Sequence, residues 1–362
     1  MSALLAPALA ALAVLPPVAA VDVTTYGWVT ALKVAIVLGV IPAGALILGY
    51  VFLLKMMSHM QSRLGPMEAG PHGVLQLVAD GVKFLQKEDI FPSRADRRVF
   101  AAAPLVVLMS TFLLYVVIPA GPRAVVEDLD TGIFFALAVS SISVIGVLMA
   151  GWASANKYAL IGALRAAGQL IAYELPMVLA VVGVVIQAGT MSLSGIVVAQ
   201  ANYEVSVFGL FEIPKVPYVF PQIVGFLLFM IAAQAELSQA PFDMPVAESE
   251  LVAGYMTEYS GFRFLFFFMG EFGSAFALAA IAATLFLGGW YVPGMSMDAV
   301  ASDIIGPLVL GGKIMLVAFF IFWVRFTYPR LREDQLQSMA WKVLIPISLV
   351  NIAVTGVAKV VF

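Results

Sequence analysis

The chain alternates long apolar runs with short polar ones. Eight runs approach the ~20 apolar residues a helix needs to cross a ~30 Å hydrocarbon core. They lie at about 28–54, 100–118, 133–152, 169–188, 219–235, 264–287, 305–326 and 341–361. None shows the alternation of a membrane barrel, and lipid cannot satisfy free backbone groups, so each run is expected to be helical. The pattern predicts an all-α polytopic membrane protein of about eight transmembrane helices over residues 28–362, after an extracytoplasmic lead-in at 1–27. That lead-in is apolar and Ala-rich over 3–21, with Pro16-Pro17 inside. No positive residue precedes it, so it fits a cleaved signal poorly. No internal repeat argues for a two-fold transporter.

Two long polar stretches interrupt the runs, at 56–98 and 236–263. The first contains the turn signals Gly65-Pro66 and Gly70-Pro71. After them Leu75, Val78, Ala79, Val82 and Leu85 recur on one helical face, with Gln76, Asp80, Lys83 and Lys87 on the other. This predicts an amphipathic helix, lying at the membrane interface, beneath a partner, or as a plain surface helix. The loop after span one holds Lys55, Arg63, Lys83, Lys87, Arg94, Arg97 and Arg98. The other odd-numbered loops hold Lys157, Arg165, Arg263, Arg325, Arg330, Arg332 and Lys342. The even-numbered loops hold only Arg123 and Lys215. The positive-inside rule then places the odd loops in the cytoplasm and both termini outside.

Composition sharpens the class. Hydrophobic residues make up 62% and charged residues 11%, against about 25% charged in soluble domains. No basic stripe suggests nucleic acid. Without cysteine, and with only His59 and His72 as histidines, the chain offers no thiolate cluster and no usual zinc or haem set. Any redox cofactor therefore belongs to another subunit. There is also no Gly-rich phosphate loop, no His-Glu-x-x-His and no Gly-x-Ser-x-Gly. Asp243 stands alone, where a diphosphate site would want paired aspartates.

The candidate chemistry is carboxylate chemistry. The stretch 236–263 carries Glu236, Asp243, Glu248, Glu250 and Glu258 but only one cation, Arg263. Glu271 lies about two turns into span six, and Glu174 early in span four. Charge inside a membrane is costly, which makes these residues functional candidates. Glu174, Glu236 and Glu271 would put one carboxylate on each of three helices. Facing one another, they could not all stay ionised, as a proton relay requires. The plainer readings are that Glu174 snorkels or pairs with Arg165 or Lys157, that Glu271 is protonated and hydrogen-bonded in the bundle, and that Glu248, Glu250 and Glu258 form a solvated acidic surface. Pro241 and Pro245 impose a non-helical course around Phe242-Asp243.

The run from Glu236 to Glu271, with Ala240-Pro241-Phe242-Asp243, Glu250-Leu251-Val252-Ala253-Gly254-Tyr255 and Thr257-Glu258-Tyr259-Ser260-Gly261, resembles the signature of the quinone-chamber membrane subunit, the H subunit, of respiratory complex I, the proton-translocating NADH:quinone oxidoreductase. Three further stretches agree. One is Gln61-Ser62-Arg63-Leu64-Gly65-Pro66 with Leu75-Gln76 and Asp80-Gly81. Another runs from Gly151-Trp152-Ala153-Ser154 through Asn156-Lys157 and Arg165 to Tyr173-Glu174. The last is Trp323-Val324-Arg325 with Pro329-Arg330 and Trp341-Lys342. The resemblance extends from about residue 28 to the end.

It implies a membrane subunit of a bacterial or archaeal cell membrane that forms a quinone chamber against the peripheral arm. Arg63, Gly65, Pro66, Phe242, Asp243 and Arg263 would line that chamber. Glu174, Glu236, Glu271, Glu248, Glu250, Glu258 and Asp243 would couple quinone reduction to proton movement. Quinone would be the substrate, entering from lipid near the first span. Iron–sulfur clusters, FMN and NADH would reside in partners, which include peripheral-arm, small membrane and antiporter-like subunits. The chain departs from the family at Leu53-Leu54, Met67-Glu68, Ser238-Gln239 and Val246, where arginines and glutamates of the family pattern are lost. These losses leave room for a related complex using ferredoxin or deazaflavin as donor. A standalone ion-coupled transporter is the alternative from another class.

Overall fold

The computed structural model describes residues 27–122, 124–207, 211–214, 216–295 and 300–361. The lead-in expected at 1–27 lies outside them apart from Gly27, as do Arg123 and Lys215. The chain divides into a short unit, 1–39, of which the described part is the start of the first helix, and a unit of residues 40–362. The long elements are α1 (Gly27–Leu48), α2 (Gln76–Gln86), α3 (Arg97–Leu114), α4 (Gly132–Ala153), α5 (Lys157–Ala188) and α6 (Leu193–Ala201). A two-stranded hairpin follows, β1 (Glu204–Val207) with β2 (Phe211–Pro214). Then come α7 (Ile223–Glu236), the single turn α8 (Glu248–Leu251), α9 (Gly261–Phe286), α10 (Val300–Thr327), α11 (Glu333–Met339) and α12 (Ile345–Val361). Among the described residues, seven helices are long and apolar enough to cross a membrane, and α7 is a shorter apolar one. The molecule is thus a polytopic all-α membrane protein, with one small hairpin between spans.

The apolar runs located the spans, and polar chemistry moved their ends. Span four begins at Lys157, not near Gln169, because Asn156 caps it: its Oδ1 accepts from Tyr158 N at 2.8 Å. The resulting 32-residue helix is about 48 Å long at 1.5 Å per residue, longer than a bilayer core. Span five loses its first turn. Pro217 and Pro221 lack donors, and residues 218–222 form turns before α7 starts. Asp96 caps α3 by accepting from Arg98 N and Val99 N. The first span continues past α1 through a π-helical stretch, Gly49–Met56. The hairpin was not anticipated. Val205 pairs with Ile213 and Val207 with Phe211, residue types that favour extended backbone.

Small residues let the helices approach closely. A Cβ at Gly151 of α4 would lie 2.3 Å from the Ala163 Cβ of α5. The amphipathic helix α2 turns Leu77 and Phe84 toward the protein. Phe84 packs on Phe264 of α9 with ring centroids 5.5 Å apart. Val78, Val82 and Leu85 are exposed on its other side, so its apolar stripe is not covered by this chain.

Candidate functional site

The 236–263 stretch is a folded loop seated on α5. Gln169 of α5 donates from Nε2 to the carbonyls of Ala235 (2.7 Å) and Phe242 (2.8 Å). Gln234 donates to Ala240 O at 2.8 Å, and Leu331 N donates to Pro241 O at 3.0 Å. The Phe242 ring meets Tyr173 edge-on, and the Tyr173 hydroxyl donates to Leu336 O at 2.9 Å. Two glycines make this seat possible. Gly254 has φ +53°, and a Cβ there would fall 1.8 Å from Pro245 O. A Cβ at Gly162 of α5 would meet the same carbonyl at 2.7 Å. Below the loop, Tyr259 stacks on Phe100 with centroids 4.0 Å apart.

Under the loop lies a cavity of about 290 Å³. Its polar lining includes Glu236, Gln239, Asp243, Tyr255, Glu271 and Arg325. Glu271 is ten residues into α9, about 15 Å along the helix. There its Oε1 pairs with Arg325 Nη1 of α10 at 3.5 Å and accepts from Gln239 Nε2 at 3.3 Å. Asp243 lies within electrostatic range of both Glu271 and Tyr255. Burial, with Glu271 and then Asp243 adding to it, pushes the Tyr255 phenol well above its ordinary range. Glu236 ends α7 at the cavity wall, and its Oε2 is buried with no hydrogen-bond partner among the described residues. Glu174 of α5 sits within electrostatic range of Glu236 and close to Ser141 of α4. The three helix carboxylates therefore follow one another: Glu174 near Glu236, and Glu236 sharing a cavity with Glu271.

The remaining candidates lie elsewhere. Glu250 is half-exposed and bridges Arg165 Nη1 at 2.6 Å and Arg330 Nη2 at 2.9 Å. Those two guanidiniums, Arg165 first, hold its carboxyl below the usual glutamate range. Arg165 also reaches Glu333 at 3.6 Å, so its ion pairs go to the loop and α11. Lys157 lies over the Tyr158 ring. Glu258 accepts from Asn156 Nδ2 at 2.6 Å, tying the loop to the α5 cap. Glu248 opens α8, but its side chain is outside the described set.

Of the six residues expected to line a quinone chamber, only Asp243 lines this cavity among the described residues. Phe242 packs behind it on Tyr173. Arg263 pairs with Asp89 and lies 4.0 Å over the Phe91 ring. Arg63, Gly65 and Pro66 form a turn at the end of the first span, where Lys55 Nζ donates to Pro66 O at 2.7 Å. The sequence alone assigns no role to Gln239 or Tyr255 in the cavity or to Gln169 beneath the loop, and it marks Arg325 as an end-of-span anchor. Arg325 alone left a signal, as a cation inside an apolar run. Gln239 and Val246, at two of the departures from the family pattern, both line the cavity.

Apolar helices long enough to cross a membrane, packed around a cavity lined by carboxylates, define a polytopic membrane protein. A family profile described as NADH dehydrogenase matches residues 32–356. The chain is 45% identical to the H subunit of NADH-quinone oxidoreductase from Bacillus thuringiensis subsp. konkukian (strain 97-27), over 85% of this chain and 87% of that protein. It is 44% identical to the proteins of the same name from Bacillus cytotoxicus and from Bacillus anthracis, with the same coverage. The chain belongs to the family of NADH-quinone oxidoreductase H subunits. It is a multi-pass membrane component of complex I, and other complex I subunits are its partners.

Proposed function

We propose that this subunit forms part of the quinone chamber and passes the charge change of quinone reduction into the membrane arm as proton movement. The observation that carries the reading is the cavity shared by Glu236, Asp243 and Glu271, with Glu174 beyond Glu236. Carboxylates this close repel when ionised together, so a change of charge at one shifts protons on the others. Glu174, Glu236, Asp243 and Glu271 form the path. Glu250 and Glu258, held by Arg165, Arg330 and Asn156, serve to fix the loop. Quinone reaches the chamber from lipid past α2, whose exposed Val78, Val82 and Leu85 suit an interfacial helix. The turn at Arg63, Gly65 and Pro66 lies on that side. The loop faces the cytoplasm and the peripheral arm, which supplies the electrons.

The test uses membranes carrying the assembled complex. Glu236→Gln is compared with wild type for quinone reduction by NADH and by an artificial low-potential donor, together with the pH gradient. Loss of both activities with assembly intact is expected. Unchanged activity with every donor would make Glu236 a passive charge and remove the central member of the path.

A further inference from the structure

Helix α2 contains no buried residue. Leu77 and Phe84 reach inward. The Leu77 Cδ1 lies 2.8 Å from where a Cβ at Gly49 of the first span would stand, and Phe84 meets Phe264 of α9. An element with so little buried apolar surface has low local stability, so its two ends decide where it lies. The leading end is tied to the first span. Tyr50 Oη donates to His72 O at 3.0 Å, and Lys55 Nζ donates to Pro66 O at 2.7 Å. The turn between them holds Gly65, Gly70 and Gly73 at positive φ.

The trailing end runs into a strap, residues 87–91, stitched onto the start of α9. Ser260 Oγ donates to Glu88 O at 3.1 Å and accepts from Ile90 N at 3.2 Å. Arg263 pairs with Asp89 and lies 4.0 Å over the Phe91 ring. Phe91 in turn packs on Phe100, with centroids 5.5 Å apart. Gly261 lets the strap come this close: its φ is +55°, and a Cβ there would lie 2.9 Å from Lys87 O. The ion pair faces water, since the Arg263 and Asp89 side chains keep 19% and 39% of their surface. A pair of this kind is cheap to open.

We infer that Ser260 and Arg263 latch α2, and that release of the strap lets α2 move off the first span to admit a long-tailed quinone. The inference rests on the reading that quinone enters past α2, and it names the residues that gate that entry. A short quinone fits through the closed entrance, whereas a long tail has to slide beside α2 and stay there during turnover. Ser260 and Arg263 are positioning residues. They act on quinone only through α2.

The experiment uses membranes carrying the assembled complex. The chain has no cysteine, so Asp89→Cys with Arg263→Cys supplies its only thiol pair. A short bifunctional thiosulfonate joins the pair, a reductant releases it, and each single variant controls for thiols in partner subunits. Joined membranes should lose most reduction of a long-tailed quinone, keep reduction of a short water-soluble one, and recover on release. Joined membranes that reduce both quinones as wild type does overturn the inference. Equal loss of both also overturns it, because the strap then supports the loop and not the entrance. Arg263→Gln gives a second reading without a cross-link. Hydrogen exchange over 76–91 should become several-fold faster, and unchanged exchange overturns the latch. Val82→Cys, labelled with a bulky maleimide, keeps the two ideas apart. If the label slows only the long-tailed quinone while the joined strap has no effect, quinone passes α2 and the latch alone falls. If neither has an effect, entry past α2 falls with it.

Discussion

Glu271 and Glu250 show how differently one residue type behaves when its neighbours differ. Glu271 has one guanidinium and one amide inside the membrane domain. Both side chains of the pair keep 26% of their surface, so removing one member costs less than the about 3–5 kcal/mol of a fully buried pair. Arg325→Gln should therefore lower stability by an amount below that range. The double variant Arg325→Gln with Glu271→Gln should recover part of the loss, and a double-mutant cycle by thermal unfolding of the complex reads the coupling. Glu250 instead has two arginines at the surface. Its carboxyl titrates below the ordinary glutamate value in the folded state. The bridge's contribution is thus present above the unfolded value of about 4.3 and is lost as pH falls through the lower folded one. Hydrogen exchange across 244–251 should rise with acid in that window, and Glu250→Gln should flatten the dependence. The sequence displayed every one of these carboxylates. It could not display their partners, because Arg325 and Gln239 are remote from Glu271 along the chain and meet it only through folding.

At the scale of elements, hydrophobic periodicity located the spans, and local chemistry that runs across the apolar pattern set their ends. The Asn156 cap extended α5 over Lys157 and Arg165, which had interrupted the apolar run. The prolines at 217 and 221 shortened α7. The loop's seat was not legible, since it depends on backbone meeting backbone. Pro245 O lies where a side chain at Gly162 or Gly254 would stand. Gly162→Ala should cost about 1–3 kcal/mol, the usual scale of overpacking. Limited proteolysis within 244–260 should then become faster, while the yield of membrane-inserted chain stays near wild type.

For the whole molecule, orientation is the property that charge counting alone supports. The chain contains no cysteine, which gives thiol labelling a silent background. Ser93 and Asp130 are both exposed and lie in the first and second loops between spans. Ser93→Cys should react with a membrane-impermeant reagent only from the cytoplasmic face, and Asp130→Cys only from the opposite one. The reverse pattern would invert the topology and turn the loop away from the peripheral arm.

Helix α5 carries the loop's seat at Gly162, the bridge at Arg165, the loop's anchor at Gln169 and the carboxylate at Glu174. Near its other end the Gln187 carbonyl accepts from Lys359 of α12 at 2.8 Å. Gly162 and Gln187 are thus separated by about 37 Å of one continuous rod, interrupted only by Pro176, where a helix can bend. One helix therefore bears both on the loop and on α12, so a substitution that displaces it at Gly162 is expected to disturb its contact with α12 as well.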